Sequence, residues 1–186
     1  MSRLEADVRR ASLGRLEAWA TELDAYLSVE LRVNGERPLT DARHAALQNH
    51  FAAQLRRDGW NVETESSFNH YGDRGRVDVL AFHPVLHVLL VIEVKTRVQD
   101  VQDMLGRLDV KKRVARMLAN ERGWDVAAIV PALVVREDRT SRRRISDHAA
   151  LFATYDLRAR AARAWVCRPR LPAPRGILLF EESPHG

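Results

Sequence analysis

The chain has very little cysteine and lysine, and it lacks any apolar segment of membrane-spanning length. The single cysteine, Cys167, excludes an internal disulfide and is typical of a reducing compartment. The longest apolar run, around residues 88–92, is far shorter than the roughly 20 residues that a membrane-spanning helix needs. Residues 1–10 alternate acids and arginines, so no signal peptide is predicted. These absences predict a soluble cytoplasmic protein that does not associate with a membrane.

Lysine is rare although the chain is basic. Of thirty basic residues, twenty-seven are arginine and three are lysine, at positions 95, 111 and 112. Lysine carries a compact ammonium with an adjustable pKa, which suits chemistry that a guanidinium performs less well. Lys95 follows an acidic residue at the end of an apolar run, and we therefore interpret it as a functional residue.

The net charge of +5 is unevenly distributed along the chain. Residues 136–175 contain eleven arginines and four acidic residues, a local charge of +7, whereas the remainder sums to −2. A basic segment on a near-neutral body favours a polyanionic partner, most often nucleic acid, with a solvated arginine-rich face as the alternative. Arg139, Arg142, Arg143 and Arg144 are expected to contact a nucleic-acid backbone. The alternative is that they belong to a solvated loop.

Changes in hydrophobic period predict an α/β protein. Helical spacing occurs at residues 12–26, at 40–58 behind a Thr40 or Asp41 cap, at about 101–120 behind an Asp100 cap, and at 146–154 and 156–166. Strands are predicted at 27–33, 60–68, 76–82, 86–95, 125–135 and 177–180, the last as a terminal edge strand, with a polar turn at 69–75. A tight hairpin followed by a strand–helix–strand crossover predicts both antiparallel and parallel pairing, and hence a mixed central sheet flanked by helices.

The same pass along the chain predicts its domain organisation. Residues 1–37 form an N-terminal extension of one helix and one strand. Residues 38–186 form a single domain that ends in a basic helical segment. No internal repeat or low-complexity tract interrupts this domain.

Two carboxylates and one ammonium, those of Asp78, Glu93 and Lys95, lie on the largely apolar hairpin GRVDVLAFHPVLHVLLVIEVKT at residues 75–96. Glu93 and Lys95 share one face of their strand, and the hairpin turn brings Asp78 opposite Glu93. Two adjacent carboxylates repel each other unless a cation lies between them, and Mg²⁺ prefers carboxylates together with carbonyl oxygens and water. The hairpin therefore predicts a Mg²⁺ or Mn²⁺ site with Asp78, Glu93 and the Val94 carbonyl as ligands. Lys95 would orient or deprotonate a water, or offset the charge of a phosphoryl transition state.

At these residues the chain resembles the PD-(D/E)XK nuclease superfamily, which has the restriction-endonuclease-like fold. The resemblance covers about residues 40–135. In that superfamily the aspartate and glutamate hold the metal and the lysine assists the attack; here those positions are Asp78, Glu93 and Lys95. The strings SFNHYGDRGRVDVLAF, VIEVKT and LGRLDVKKRVA also resemble a family of actinobacterial proteins in which such a domain follows a helix-turn-helix module. Before residue 40 the sequence is too short for that module, and only a helix and the strand LSVELRV are expected there.

The resemblance implies Mg²⁺-dependent hydrolysis of DNA phosphodiesters. An endonuclease is expected in preference to an exonuclease. Many members add an acidic ligand from the first core helix, where this chain has Gln48 and His50. Glu65, or else Glu63, is expected to replace that ligand. Gln102 is expected to touch a phosphate or the attacking water, or else to belong to a solvated helix start. Cleavage of both strands would require two sites, which a homodimer would supply.

Other interpretations stay open at this point. Glu93 and Lys95 could form an ordinary strand-end ion pair, with Asp78 capping Arg76. A catalytically inactive module that keeps the nuclease fold would still bind DNA, and the missing helix acid favours it. A protein-interaction domain would bind neither metal nor DNA. The histidines at positions 44, 50, 70, 83 and 87 lack metal-ligand spacing and are interpreted as surface or turn residues.

Overall fold

The computed structural model of the protein describes residues 12–23, 39–70 and 73–182. The chain divides into two compact units, Met1–Pro38 and Leu39–Gly186. In the first unit, helix α1 spans Leu13–Glu22, inside the range that helical spacing predicts. The predicted strand at 27–33 lies outside the described residues.

The second unit is a six-stranded mixed sheet with helices packed on it. Its elements are helix α2 (Leu39–Arg57), strands β1 (Asn61–His70), β2 (Asp73–His83) and β3 (Val88–Lys95), helix α3 (Val101–Asn120), strand β4 (Ala128–Arg136), helix α4 (Arg139–Asp147), a 3₁₀ turn (Ala149–Phe152), strand β5 (Leu157–Arg158), helix α5 (Ala159–Cys167) and strand β6 (Ile177–Glu181). Among the described residues, no helix is both long and apolar enough to cross a membrane.

The strand order is β1-β2-β3-β4-β6-β5. The first three strands pair antiparallel, whereas β3, β4, β6 and β5 pair parallel. The parallel pairing of β3 with β4 follows from the crossover through α3, as the sequence predicts. The predicted α/β class with a mixed central sheet is confirmed.

Strand β3 separates two hydrophobic cores because its side chains are buried on both faces of the sheet. The odd-numbered residues of β3 face α3, in a core whose largest fully buried members include Leu80, Leu89, Leu108, Leu118 and Leu133. The even-numbered residues face a core built with α2 and α5, which includes Phe51, Leu55, Ile92, Val134 and Trp165. A polar side chain at an odd position of β3 is therefore held beneath α3.

Most of the basic segment at residues 136–144 is helical, whereas a loop is expected from its composition. The expected loop is helix α4, whose N-terminal Asp138 accepts a 2.8 Å hydrogen bond from the Ser141 backbone N–H. The buried pair Ser141 and Ile145 gives this helix its inward face. The predicted helix at 146–154 is wrong, because α4 ends at Asp147 and only a 3₁₀ turn follows.

Two further expectations about the sheet are corrected. Strand β6 is not the edge of the sheet, because Leu157 pairs with Ile177 and makes the short strand β5 the edge. The polar turn at 69–75 is shorter than expected, since β1 continues to His70 and β2 begins at Asp73. Backbone pairing of the two long strands thus continues through residues whose side chains favour a loop.

Two glycines associated with α3 give opposite predictions for stability. An added Cβ at Gly106, inside the helix, would meet no atom within 4 Å, and Gly123, just after the helix, has φ +67° with the same open space. Gly106→Ala should raise the free energy of unfolding by about 1 kcal/mol. Gly123→Ala should lower it by about 1 kcal/mol, because a Cβ is strained in the left-handed region. Urea denaturation followed by circular dichroism measures both, and a destabilised Gly106→Ala would contradict the prediction.

Candidate metal and nucleic-acid site

Asp78 lies on β2 opposite the end of β3. The pairing of the two strands runs up to Val79 opposite Ile92, so the next opposed positions are Asp78 and Glu93. At this point Asp78 Oδ2 accepts a 2.7 Å hydrogen bond from the Val94 backbone N–H. The hairpin register therefore brings the two carboxylates together, as the sequence predicts.

Glu93 is a buried carboxylate in an otherwise apolar strand. Its side chain is 3% exposed, and its Oε1 lies 2.7 Å from Lys95 Nζ. Its Oε2 contacts Lys111 Nζ. Burying an unpaired charge costs several kcal/mol or more, so the two ammonium groups offset the cost of placing Glu93 here.

Lys111 on α3 joins the two carboxylates. Its Nζ lies 3.1 Å from Asp78 Oδ1 while it contacts Glu93 Oε2, and the side chain is 11% exposed. Sequence reasoning does not identify Lys111 as a site residue. The pattern that would identify it is its place on the buried stripe of α3, between Leu108 and Ala115, in a chain with only three lysines.

The position of α3 follows from its own sequence. Asp100 begins the helix by accepting a 2.9 Å hydrogen bond from the Asp103 N–H. The buried stripe then faces the sheet at Val101, Met104, Leu108, Lys111, Val114, Ala115, Leu118 and Ala119. Since the neighbours of Lys111 on this stripe are packed in the core, its backbone is fixed and its ammonium reaches the ends of β2 and β3.

Helix α2 also approaches this site. His44, which is interpreted from the sequence as a surface residue, is 34% exposed, and its Nε2 lies 3.9 Å from Asp78 Oδ2. Gln48 is one helical turn further on and points to the same side of α2. Its Oε1 is buried and accepts no hydrogen bond within the part of the chain that the structure describes. A buried oxygen of this kind calls for a partner such as a water or a cation.

The oxygen donors present fit a divalent cation. One atom, Lys111 Nζ, reaches an oxygen of Asp78 and an oxygen of Glu93, so a single small ion can do the same. The Val94 carbonyl lies on the strand side that carries its N–H, and hence beside Asp78. No group of three or more His, Cys, Asp or Glu side chains converges among the described residues. Mg²⁺ nevertheless commonly uses one or two carboxylates with waters.

The expected additional ligands, Glu65 and Glu63, are engaged elsewhere. Glu65 has φ +62°, which is uncommon for a residue other than glycine, and its Oε2 lies 2.5 Å from Arg76 Nη1. Glu63 Oε2 accepts a 2.7 Å hydrogen bond from Arg122 Nε. Either carboxylate would have to leave an arginine in order to bind a metal.

A cleft of about 550 Å³ opens over the two carboxylates. Its walls are Phe68, Asp73, Arg74, Gly75, Arg76, Asp78, Glu93, Arg107, Val110 and Lys111. Three of these residues are arginines, and they come from β2 and α3. The cleft therefore contains the carboxylates of Asp73, Asp78 and Glu93 beside four cationic side chains, the three arginines and Lys111.

The arginines that were expected to bind nucleic acid lie on α4 and do not line this cleft. Arg142 hydrogen bonds Glu137 Oε2 at 2.7 Å, and its guanidinium lies 4.4 Å from the centroid of the Phe180 ring. Arg144 donates to the Val98 carbonyl. Arg139 and Arg143 are exposed, and so is Gln102 near the start of α3. Two of the four arginines thus help to hold α4 in place.

Comparisons with known proteins add no family to this description. No protein-family model matches the chain, and no curated protein is similar to it at a significant level. The description of the site therefore rests on its geometry alone. Asp78 and Glu93 share the Lys111 ammonium, and the Lys95 ammonium lies beside Glu93. The same carboxylates could hold a divalent cation in place of the Lys111 ammonium.

Lys111→Met should lower the free energy of unfolding by about 3 kcal/mol, because it leaves Asp78 and Glu93 facing each other without the shared ammonium. Lys112→Met is the matched control, since Lys112 is exposed on the same helix and should change stability by less than about 0.5 kcal/mol. Urea denaturation in the absence of divalent ions measures both. Equal losses in the two variants would show that the bridging contact contributes nothing.

Proposed function

We propose that the protein is a Mg²⁺-dependent phosphodiesterase of the PD-(D/E)XK type that acts on DNA, as an endonuclease more than as an exonuclease. The observation that carries the proposal is the convergence of Asp78, Glu93 and Lys95 at the end of the β2–β3 hairpin. The arginine-lined cleft over Asp78 and Glu93 supports it, because phosphate contacts in nucleic-acid complexes come mainly from such side chains.

In this proposal Asp78, Glu93 and the Val94 carbonyl hold the metal. When bound, a divalent cation polarises a phosphodiester oxygen and makes a neighbouring water a better nucleophile. Lys95 is held 2.7 Å from Glu93 and is 30% exposed, so its ammonium can face the phosphate. There it offsets the negative charge that develops as the water oxygen bonds to phosphorus. One ester P–O bond breaks, and the leaving oxygen takes up the proton that the attacking water gives up, directly or through solvent.

In this proposal the phosphate backbone of the substrate binds in the cleft. Arg74, Arg76 and Arg107 surround the carboxylates, and Arg76 and Arg107 already pair with acidic side chains. A phosphate can replace those acids as the arginine's partner, because guanidinium binds both anions in the same geometry. The exposed Arg139 and Arg143 of α4, and Gln102, would contact DNA outside the cleft.

A second function has an observation of its own in its favour. Lys111 and Lys95 together already offset the charges of Asp78 and Glu93, which is what an inactive descendant of a nuclease would need in place of metal. Such a module would bind DNA without metal, and its binding would survive Glu93→Gln. Its DNA binding would still weaken with salt, because phosphate contacts release counterions.

Plasmid nicking in Mg²⁺ or Mn²⁺ tests the enzyme. Asp78→Ala and Lys95→Ala should each reduce the rate by about 100-fold or more, because each removes a group that stabilises the charge of the transition state. Lys112→Ala should retain the wild-type rate. Absence of metal-dependent nicking by the wild-type protein, or unchanged nicking by the two site variants, would contradict the enzymatic proposal.

Salt dependence of DNA binding tests which arginines meet the backbone. The double variant Arg74→Ala/Arg107→Ala should reduce the magnitude of the negative slope of log affinity against log salt by about 2. Each lost phosphate contact reduces that magnitude by about 1. The matched double variant Arg142→Ala/Arg144→Ala removes two arginines that contact their own fold and should change the slope by less. A larger change of slope in Arg142→Ala/Arg144→Ala than in Arg74→Ala/Arg107→Ala would show that DNA contacts α4 and not the cleft.

A further inference from the structure

Lys111 contacts both carboxylates of the site, which none of the three predicted catalytic residues does. The inference drawn from this contact rests on the proposed metal site. We propose that Lys111 is an internal counter-cation that occupies the metal position and must be displaced when a divalent ion binds. Metal affinity is then set by competition between the ion and a side chain of the same protein.

The competition follows from the contacts of Lys111. Its Nζ lies 3.1 Å from Asp78 Oδ1 and touches Glu93 Oε2, so it stands between the two carboxylates. A divalent ion that uses both carboxylates needs the same space, at about 2.1 Å from each oxygen for Mg²⁺. Two cations so close would also repel each other strongly. The ammonium and the ion therefore exclude each other.

Lys95 is arranged differently although it is also bound to Glu93. Its Nζ lies 2.7 Å from Oε1, whereas Lys111 uses Oε2. Lys95 is also more exposed, at 30% of its side chain against 11% for Lys111. An ion that enters between Asp78 and Glu93 therefore displaces Lys111 and can leave the contact of Lys95 in place.

Displacement does not require α3 to move. The helix is fixed by buried neighbours such as Leu108 and Val114, while the side chain of Lys111 forms part of the cleft wall. Lysine has a flexible four-carbon stem, so rotation of its side chain can carry the ammonium into the cleft. There it joins Arg74 and Arg107 and adds to the positive charge that faces a phosphate.

Mn²⁺ titration calorimetry on the full chain tests the competition. Lys111→Met should bind Mn²⁺ at least about tenfold more tightly than the wild type, a coupling of ordinary size for two linked binding events. Lys112→Met is the control and should bind like the wild type. Adding Asp78→Asn to Lys111→Met should abolish the gain. Equal or weaker binding by Lys111→Met overturns the proposal.

A second measurement uses the wild-type protein and does not depend on the folding of Lys111→Met. Because the chain has three lysines, lysine labelled with ¹³C at Cε gives three signals, which Lys95→Arg and Lys112→Arg assign. Titration with diamagnetic Mg²⁺ should shift the Lys111 signal most as its ammonium leaves the carboxylates. A Lys111 signal that stays unchanged while Mg²⁺ binds would overturn the proposal.

The outcomes separate this inference from the proposed nuclease. Metal-dependent nicking by the wild type, with equal Mn²⁺ affinity in Lys111→Met, would leave the enzyme standing and remove the competition. Tight Mn²⁺ binding by Lys111→Met, with neither binding nor nicking by the wild type, would support the competition and contradict the enzyme. In that case Lys111 closes the site permanently.

Discussion

The burial of Glu93 is the constraint on which the rest of the site depends. Strand β3 is apolar and covered on both faces, so a carboxylate at one of its odd positions lies under α3 and cannot be hydrated like a surface acid. The sheet provides Lys95 from the same strand, and the helix provides Lys111. The interaction that neutralises the carboxylate thus also ties α3 to the end of the sheet.

A second buried carboxylate shows how differently a purely structural ion pair is built. Glu181 at the end of β6 is 4% exposed and pairs with Arg163 of α5, which also hydrogen bonds Gln54 of α2. Burial raises the pKa of Glu181 although Arg163 opposes the shift. A planar guanidinium in fixed geometry joins three elements there, whereas Glu93 has compact ammonium groups on flexible stems. In the proposed metal site, lysine occupies the place where one cation would be exchanged for another.

Much of the fold and part of the site could be predicted from the sequence. The apolar run of β3 and the short hairpin turn determine that Asp78 faces Glu93, since side-chain alternation and loop length suffice for that. The bridging role of Lys111 depends on how a helix rests on a sheet, and only its stripe position indicates it. Glu65, which pairs with Arg76, has a positive φ that no local pattern predicts. Charge composition located a basic segment but not the partners of its arginines.

The electrostatics of the cleft follow from exchangeable pairs more than from net charge. Arg76 pairs with Glu65, Arg107 with Asp103, and Lys111 with Asp78 and Glu93. Each cation is therefore held in place by an acid of the same chain, which lowers the attraction for stray anions. A phosphate can replace Glu65 and Asp103 as the partner of Arg76 and Arg107. Lys111 would become available to it only when another cation takes over Asp78 and Glu93. Metal and phosphate would then each make room for the other, and such coupling is reciprocal by thermodynamic necessity.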